Sequence, residues 1–282
     1  MMTMMRKDTT WMTNRMASVM ATKLNWKAFS VSVSVSAREL AKVLGCFQGI
    51  IHSHQEQIKN PLRLFVEAPL DDRVTVTEHS FANSSIAVHW SLEGAITSII
   101  DVRAGRELLP DGRTVSVWLA PDHPVEYDAW DLEAWTRGLG REIGRDSGTC
   151  ESVEVLDAGP LVATVRVCRS FGRSTIVQDV TLRAGSPRLD LTFDIDWHED
   201  EQLLTLDVPL DLRAREAACG IQYGHVMRPT HASTSWDAAK FEVCAHRWVD
   251  LSEADWGVAV LDDGRWGHGL HDGGVTVSLL RA

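Results

Sequence analysis

Between residues 122 and 135 the sequence sets acids and aromatic rings side by side. Asp122, His123 and Pro124 come first, then Asp128-Ala-Trp-Asp131, then Trp135. An indole offers a flat apolar face to the C–H side of a sugar ring, and neighbouring carboxylates accept hydrogen bonds from its hydroxyls. Asp128, Trp130 and Asp131 are therefore candidate sugar ligands. The same residues also suit a loop held by buried Trp with its acids in water, which an acidic chain produces often. His225, His231 and His246 raise the question of a metal, yet their intervals of six and fifteen residues match no compact ligand motif. Structural or surface histidines are the plainer account. His268 and His271, in Trp266-Gly-His-Gly-Leu-His271-Asp-Gly-Gly274, could clip a metal at a turn or belong to a glycine-rich loop. No Gly-rich phosphate loop and no G-x-S-x-G elbow occurs, so phosphate-loop and serine-hydrolase chemistry have no support. Acid pairs abound, but spacing along the chain does not measure the carboxylate separation on which glycosidase chemistry depends.

The balance of charge narrows the partners. The 282 residues carry a net charge of −11, and phosphate backbones recruit Lys and Arg, so nucleic acid is not an expected partner. No apolar run approaches the roughly eighteen residues of a spanning helix, so no membrane association is expected. Cys46, Cys150, Cys168, Cys219 and Cys244 form an odd, scattered set without a C-x-x-C pair. Reduced thiols in a cytoplasmic protein fit that pattern better than a disulfide framework or a thiolate zinc site.

The chain has a seam near residue 60. Seven of its eight Met lie in the first twenty residues, five of its six Lys in the first sixty, and all nine Pro after them. Residues 1–60 hold eight Lys and Arg against three acids, whereas the remainder has a net charge of −16. The first segment is expected to be a disordered or foreign extension, with a transit-type peptide or a small helical element as alternatives. Ser30 to Ser36 does alternate Ser and Val with the period of a strand, but with little side-chain bulk.

From residue 61 the elements that must position the candidate site are strands. Short β-branched or alternating runs begin near residues 74, 86, 95, 114, 152, 161, 174, 188, 203, 257 and 275, separated by turn residues such as Glu93-Gly94, Asp111-Gly112 and Asp263-Gly264. Leu189, Leu191, Phe193, Ile195 and Trp197 share one face, while Arg188, Asp190, Thr192, Asp194 and Asp196 share the other, as in a half-buried antiparallel strand. Helical periodicity is scarce. The expected fold class is all-β, a large antiparallel β-sandwich over residues 61–282.

Residues from about 80 to 282 also resemble glycoside hydrolase family 38, the α-mannosidases, over the β region that follows the catalytic domain. They are most like the cytosolic and vacuolar branch. Asn83-Ser-Ser-Ile-Ala-Val-His-Trp90, Gly94-Ala-Ile-Thr-Ser-Ile-Ile-Asp101 and Tyr127-Asp-Ala-Trp-Asp131 occur in the family's order. Tyr223-Gly-His-Val-Met-Arg-Pro-Thr-His-Ala-Ser-Thr-Ser-Trp236 and Phe241-Glu-Val-Cys-Ala-His-Arg-Trp-Val-Asp-Leu-Ser-Glu253 follow, and Ser278-Leu-Leu-Arg281 closes the series.

The resemblance implies a super-sandwich of the galactose-mutarotase type, incomplete at its C-terminal end. It also implies that the zinc ion and nucleophilic Asp of the family lie in an N-terminal domain with no counterpart here. No catalytic residue, metal ligand or cofactor is then expected in this chain, and no turnover by it alone. By resemblance, Asp128, Trp130, Asp131, Arg228, His231 and Trp236 would wall the cleft for a mannose-containing oligosaccharide. Arg228 could donate to sugar hydroxyls or be a salt bridge that pins its loop, and Trp248 and Trp256 are expected in the core. The alternatives are a free-standing mannose-binding module, or a subunit completed by a separate catalytic mannosidase polypeptide or by further copies of itself.

Overall fold

In the computed structural model the described residues are 25–35 (as backbone), 72–127 and 131–281. Asp128 and Trp130 lie outside them. A nine-stranded sheet runs in the order β15 (Gly224–Pro229), β14 (Glu216–Ile221), β17 (Trp248–Ser252), β18 (Trp256–Asp262), β1 (Asn25–Val35), β12 (Arg188–Asp196), β11 (Ser174–Arg183), β10 (Val162–Phe171) and β9 (Thr149–Ala158). A six-stranded sheet follows the order β16 (Val243–Cys244), β19 (Gly267–His271), β20 (Gly274–Arg281), β13 (Gln202–Pro209), β7 (Ser116–Pro121) and β8 (Arg141–Glu142). The third sheet has β2 (Thr75–Val76), β3 (Ser80–Ala82), β4 (Ile86–Trp90), β5 (Ile96–Asp101) and β6 (Arg106–Glu107) in sequence order.

Period-two patterning builds the core. Leu189, Leu191, Phe193 and Ile195 of β12 are fully buried, and their antiparallel partners in β11 include Leu182, Val180 and Ile176. The intervening residues of β12 face outward as a charged surface. One apolar cluster joins all three sheets, with Val88 and Ile99 from the third, Leu206 and Val277 from the second and Phe193 and Val260 from the first.

The expected all-β class therefore holds, but the two facing layers of a super-sandwich do not. Three sheets gather about one core in a propeller-like arrangement. The physical reason is visible in β13, which is buried at every position from Leu203 to Pro209. A strand covered on both faces needs packed material on each side, and two layers supply it on only one. That double burial erases the alternation from which layers could be counted.

β1 lies inside the segment expected to be an extension. It sits between β12 and β18 and runs parallel to both, with Val33 opposite Phe193 and Phe29 opposite Val260. These two ladders are the parallel ones in an otherwise antiparallel sheet. Removing β1 would leave the facing edges of β12 and β18 unpaired in the middle of the sheet. A chain beginning at Pro61 is therefore expected to lose cooperative unfolding and to aggregate. Thermal denaturation followed by circular dichroism checks this, and an unchanged transition would show that β1 is dispensable.

Candidate functional site

The loop after β7 is anchored before it reaches its aromatic stretch. Asp122 is buried, and its main-chain N–H donates to the Glu201 carbonyl at 2.8 Å. The Arg281 guanidinium donates both to the Asp122 carboxylate and to the main-chain oxygen of Asp131. His123 Nδ1 lies 3.0 Å from Glu201 Oε2. Asp122 thus fastens the loop to the end of β20, while Asp131 stays exposed, with its N–H on the Tyr127 carbonyl at 2.9 Å. Tyr127 and Trp135 present most or much of their rings to solvent.

The second candidate loop leaves β15. Arg228 is half-buried, and its Nη2 donates to the Cys244 carbonyl at 3.2 Å, tying β15 to β16. It also faces Cys219, whose thiol burial pushes up to about 11 against the pull of Arg228. The salt bridge considered for Arg228 is replaced by a main-chain acceptor. Thr230, buried, donates through Oγ1 to the Ala214 carbonyl at 2.5 Å and marks the last fixed point before the loop enters solvent. Thr234 then caps a one-turn helix, α1 (Ser235–Ala238), by accepting from the Asp237 N–H at 3.1 Å. His231 Nδ1 lies 3.6 Å from Asp237 Oδ2, and Trp236 is 80% exposed.

An ion pair joins the two loops. Arg137, in the 3-10 turn Thr136–Leu139, donates to Glu242 Oε2 at 3.2 Å, and Ser278 Oγ donates to Glu242 Oε1 at 2.9 Å. The pair lies across β19, where Gly267 and Gly269 leave the strand bare. A β-carbon at Gly269 would overlap the Arg137 guanidinium, and one at Gly267 would overlap the Glu242 carboxylate. Gly267-His-Gly269 is thus a strand relieved of side chains, not the loop suggested by its glycines.

The histidines are similarly accounted for. His268 faces the opposite way, fully buried, with Nε2 3.3 Å from the buried carboxylate of Asp262. His271 lies 3.7 Å from Asp207 Oδ1. His225 lies tilted against Trp248 at 6.1 Å between ring centroids, and His246 against Trp266 at 5.6 Å. Among the described residues no three His, Cys, Asp or Glu side chains come together as metal ligands would.

Trp256 meets its core expectation. It is buried, donates through Nε1 to Asp101 Oδ2 at 3.1 Å and lies under Arg106 at 3.9 Å. Trp248 does not meet it. It alternates with the buried Val249 and is half-exposed on the other face of β17, over Gly220, which leaves room for its indole. Asp250 shares that face, and burial pushes its carboxyl up to about 6, against the opposing effects of the Ser252 hydroxyl and His225.

Residues 81–282 match the glycosyl hydrolases family 38 C-terminal domain. Over 221 residues the chain is 34% identical to Alpha-mannosidase 2C1 of Mus musculus, covering 78% of this chain and 20% of that relative. Over 207 residues it is 34% identical to Alpha-mannosidase G of Dictyostelium discoideum, covering 71% and 19%. The chain spans about a fifth of the length of these curated relatives. The crystal structure of an alpha-mannosidase from Enterococcus faecalis V583 aligns with a TM-score of 0.62 at 14% identity, over 74% of this chain and 26% of that one. That likeness is one of fold.

Gly269→Val should force the Arg137 guanidinium off β19 and cost about 1–3 kcal/mol. Urea titration of the single variants and of the double variant with Arg137→Ala should show strong non-additivity. Asp250 gives a second test. Its folded pKa is raised, so the folded chain keeps a proton that the unfolded chain releases. Its contribution is fully present below about pH 4, falls as pH rises, and is lost above about pH 6. Asp250→Asn should therefore gain about 1–3 kcal/mol on the parent chain between pH 4 and pH 8. Urea midpoints at the two pH values measure the gap.

Proposed function

The chain belongs to glycosyl hydrolase family 38 through its C-terminal domain, and we propose that it supplies the non-catalytic, substrate-facing β portion of an α-mannosidase acting on mannose-containing oligosaccharides. The observation that carries this reading is the 34% identity to Alpha-mannosidase 2C1 across 221 residues. The convergence of two aromatic-bearing loops on the Arg137–Glu242 pair supports it. In this role Trp236 offers its ring to the apolar face of a sugar, and Asp131 accepts from a hydroxyl. His231 and Asp237 hold the start and the turn of α1 together. Arg228 acts one step back, fixing β15 against β16 so that the loop leaves at a set angle. Asp128 and Trp130 complete the proposed wall.

Retaining cleavage of a glycoside needs two carboxyl groups about 5–5.5 Å apart flanking the scissile bond. We assign that pair, and the zinc of the family, to the catalytic portion of the longer enzyme, so this chain alone is not expected to turn over substrate. Cys150, Cys168, Cys219 and Cys244 are free thiols, which supports a cytoplasmic setting for the proposed activity. No helix among the described residues is long and apolar enough to cross a membrane.

The test is an exchange. Residues 25–282, which keep β1 between β12 and β18, replace the matching region of Alpha-mannosidase 2C1, and hydrolysis of p-nitrophenyl α-mannoside is followed. The chimera is expected to be active, and Trp236→Ala within it should raise KM about tenfold with a smaller change in kcat. The unfused chain, with or without added zinc, should match a mock preparation. Turnover by the unfused chain, or a chimera insensitive to both Trp236→Ala and Arg228→Ala, would overturn the assignment.

A further inference from the structure

A cleft of about 440 Å³ lies away from both loops, between the β4–β5 turn, β7 and the turn that follows β8. Ser91, Glu93, Ala95, Thr114, Glu142 and Arg169 are among its lining residues. The cleft falls within the usual size range of small-molecule sites.

Arg169 is the anomaly. β10 alternates strictly, and Arg169 falls on its core-facing side, between the buried Val167 and Phe171, with 5% exposure. Its Nη1 donates to Gln178 Oε1 at 2.8 Å and its Nη2 to the main-chain oxygen of Glu93 at 3.2 Å. Both acceptors are neutral. Among the described residues no carboxylate stands within ion-pair distance of it, and Glu142 acts on it only through space. Arg166, three residues earlier on the outward face, makes the contrast plain. It holds Asp179 in a two-pronged pair, with both N–H···O distances 2.8 Å. The outward-facing arginine of this strand has a counter-ion, and the buried one has none. A buried charge without one is costly unless something supplies the missing anion.

The remaining walls describe the rest of a ligand. Ser91 Oγ accepts the N–H groups of Glu93 and Ala95 at 3.2 and 3.3 Å, which leaves its own proton for another acceptor. Thr114 Oγ1 donates to Glu142 Oε1 at 3.3 Å, and Arg145 Nη1 balances Glu142 Oε2 from the rim at 3.7 Å. Glu142, 5% exposed, therefore keeps acceptor capacity for hydroxyl donors without dominating the charge of the cleft. Gly144, at φ +93, carries the turn past Arg169, where a β-carbon would press to 3.2 Å from Nε.

We propose that this cleft binds a small hydroxylated anion, with its oxyanion at Arg169 and its hydroxyls among Ser91, Thr114 and Glu142. The oxyanion can belong to a sugar acid or to a phosphorylated sugar, since a guanidinium recognises either. The site is independent of the mannosidase assignment and of the two aromatic loops.

Calorimetric titration of the full chain tests it with four probes: gluconate, glucose 6-phosphate, uncharged glucitol and inorganic phosphate. At least one charged polyol should bind ten times or more tighter than both glucitol and inorganic phosphate, and the tighter of the two identifies the oxyanion. In Arg169→Gln that advantage should vanish. Ala95→Phe, which fills the cleft without touching either charge, should abolish binding while the near-ultraviolet signal of the tryptophans stays native. It decides the matter alone if Arg169→Gln does not fold. No heat with either charged polyol, equal affinity for glucitol, or unchanged binding in Ala95→Phe would each overturn the proposal.

Discussion

The pairing of Arg137 with Glu242 across the bare surface of β19 is the contact on which the candidate site depends. Each partner follows one of the aromatic loops, and both side chains are largely withdrawn from water, at 23% and 20% exposure. A pair in that position contributes little net stability, because desolvation offsets much of the attraction. Its effect is geometric. It sets how far apart the loops leave the six-stranded sheet, and it does so only because Gly267 and Gly269 leave room for two large side chains. Arg281 does the corresponding work at the base of the first loop, and Arg228 at the base of the second. Three arginines therefore hold in place a surface that exposes the rings of Tyr127, Trp135 and Trp236.

The outward face of the nine-stranded sheet shows the same economy in another form. Glycine at position 220 admits the Trp248 indole, which meets His225 across the strand, while Asp250 is sunk beside them. Here too a missing β-carbon determines where a ring can lie. Steric permission from glycine, more than attraction, selects these arrangements.

What could be read in the sequence followed from period and side-chain bulk. β10, β11 and β12 alternate over nine or ten residues and were plain, and so was β20. β14 and β19 carry no such signal, because Gly, Ala, Cys and His give a strand no bulky face. The number of layers is hidden for a related reason, since β13 is buried on both sides and carries no alternation to count from. Arg228, His231 and Trp236 came from resemblance to a family, not from spacing. The Arg137–Glu242 pair had no local signature at all, its members being 105 residues apart. The one trace available was Gly-x-Gly inside a stretch that also offered Leu270 to a core, a pattern that admits close approach as readily as a turn.

The position of β1 gives the molecule an order of assembly. Its partners span residues 188–195 and 256–262, so the strand leaves the ribosome long before either neighbour exists. At about 5–20 residues per second the interval to the second partner is roughly ten to fifty seconds. The hairpins β10–β11 and β11–β12 are local and close in far less time. The nine-stranded sheet is therefore assembled in two halves, and its closure at β1 is a late, long-range event. Until then a nascent strand waits for its slot, and the cell must keep other polypeptides from taking it.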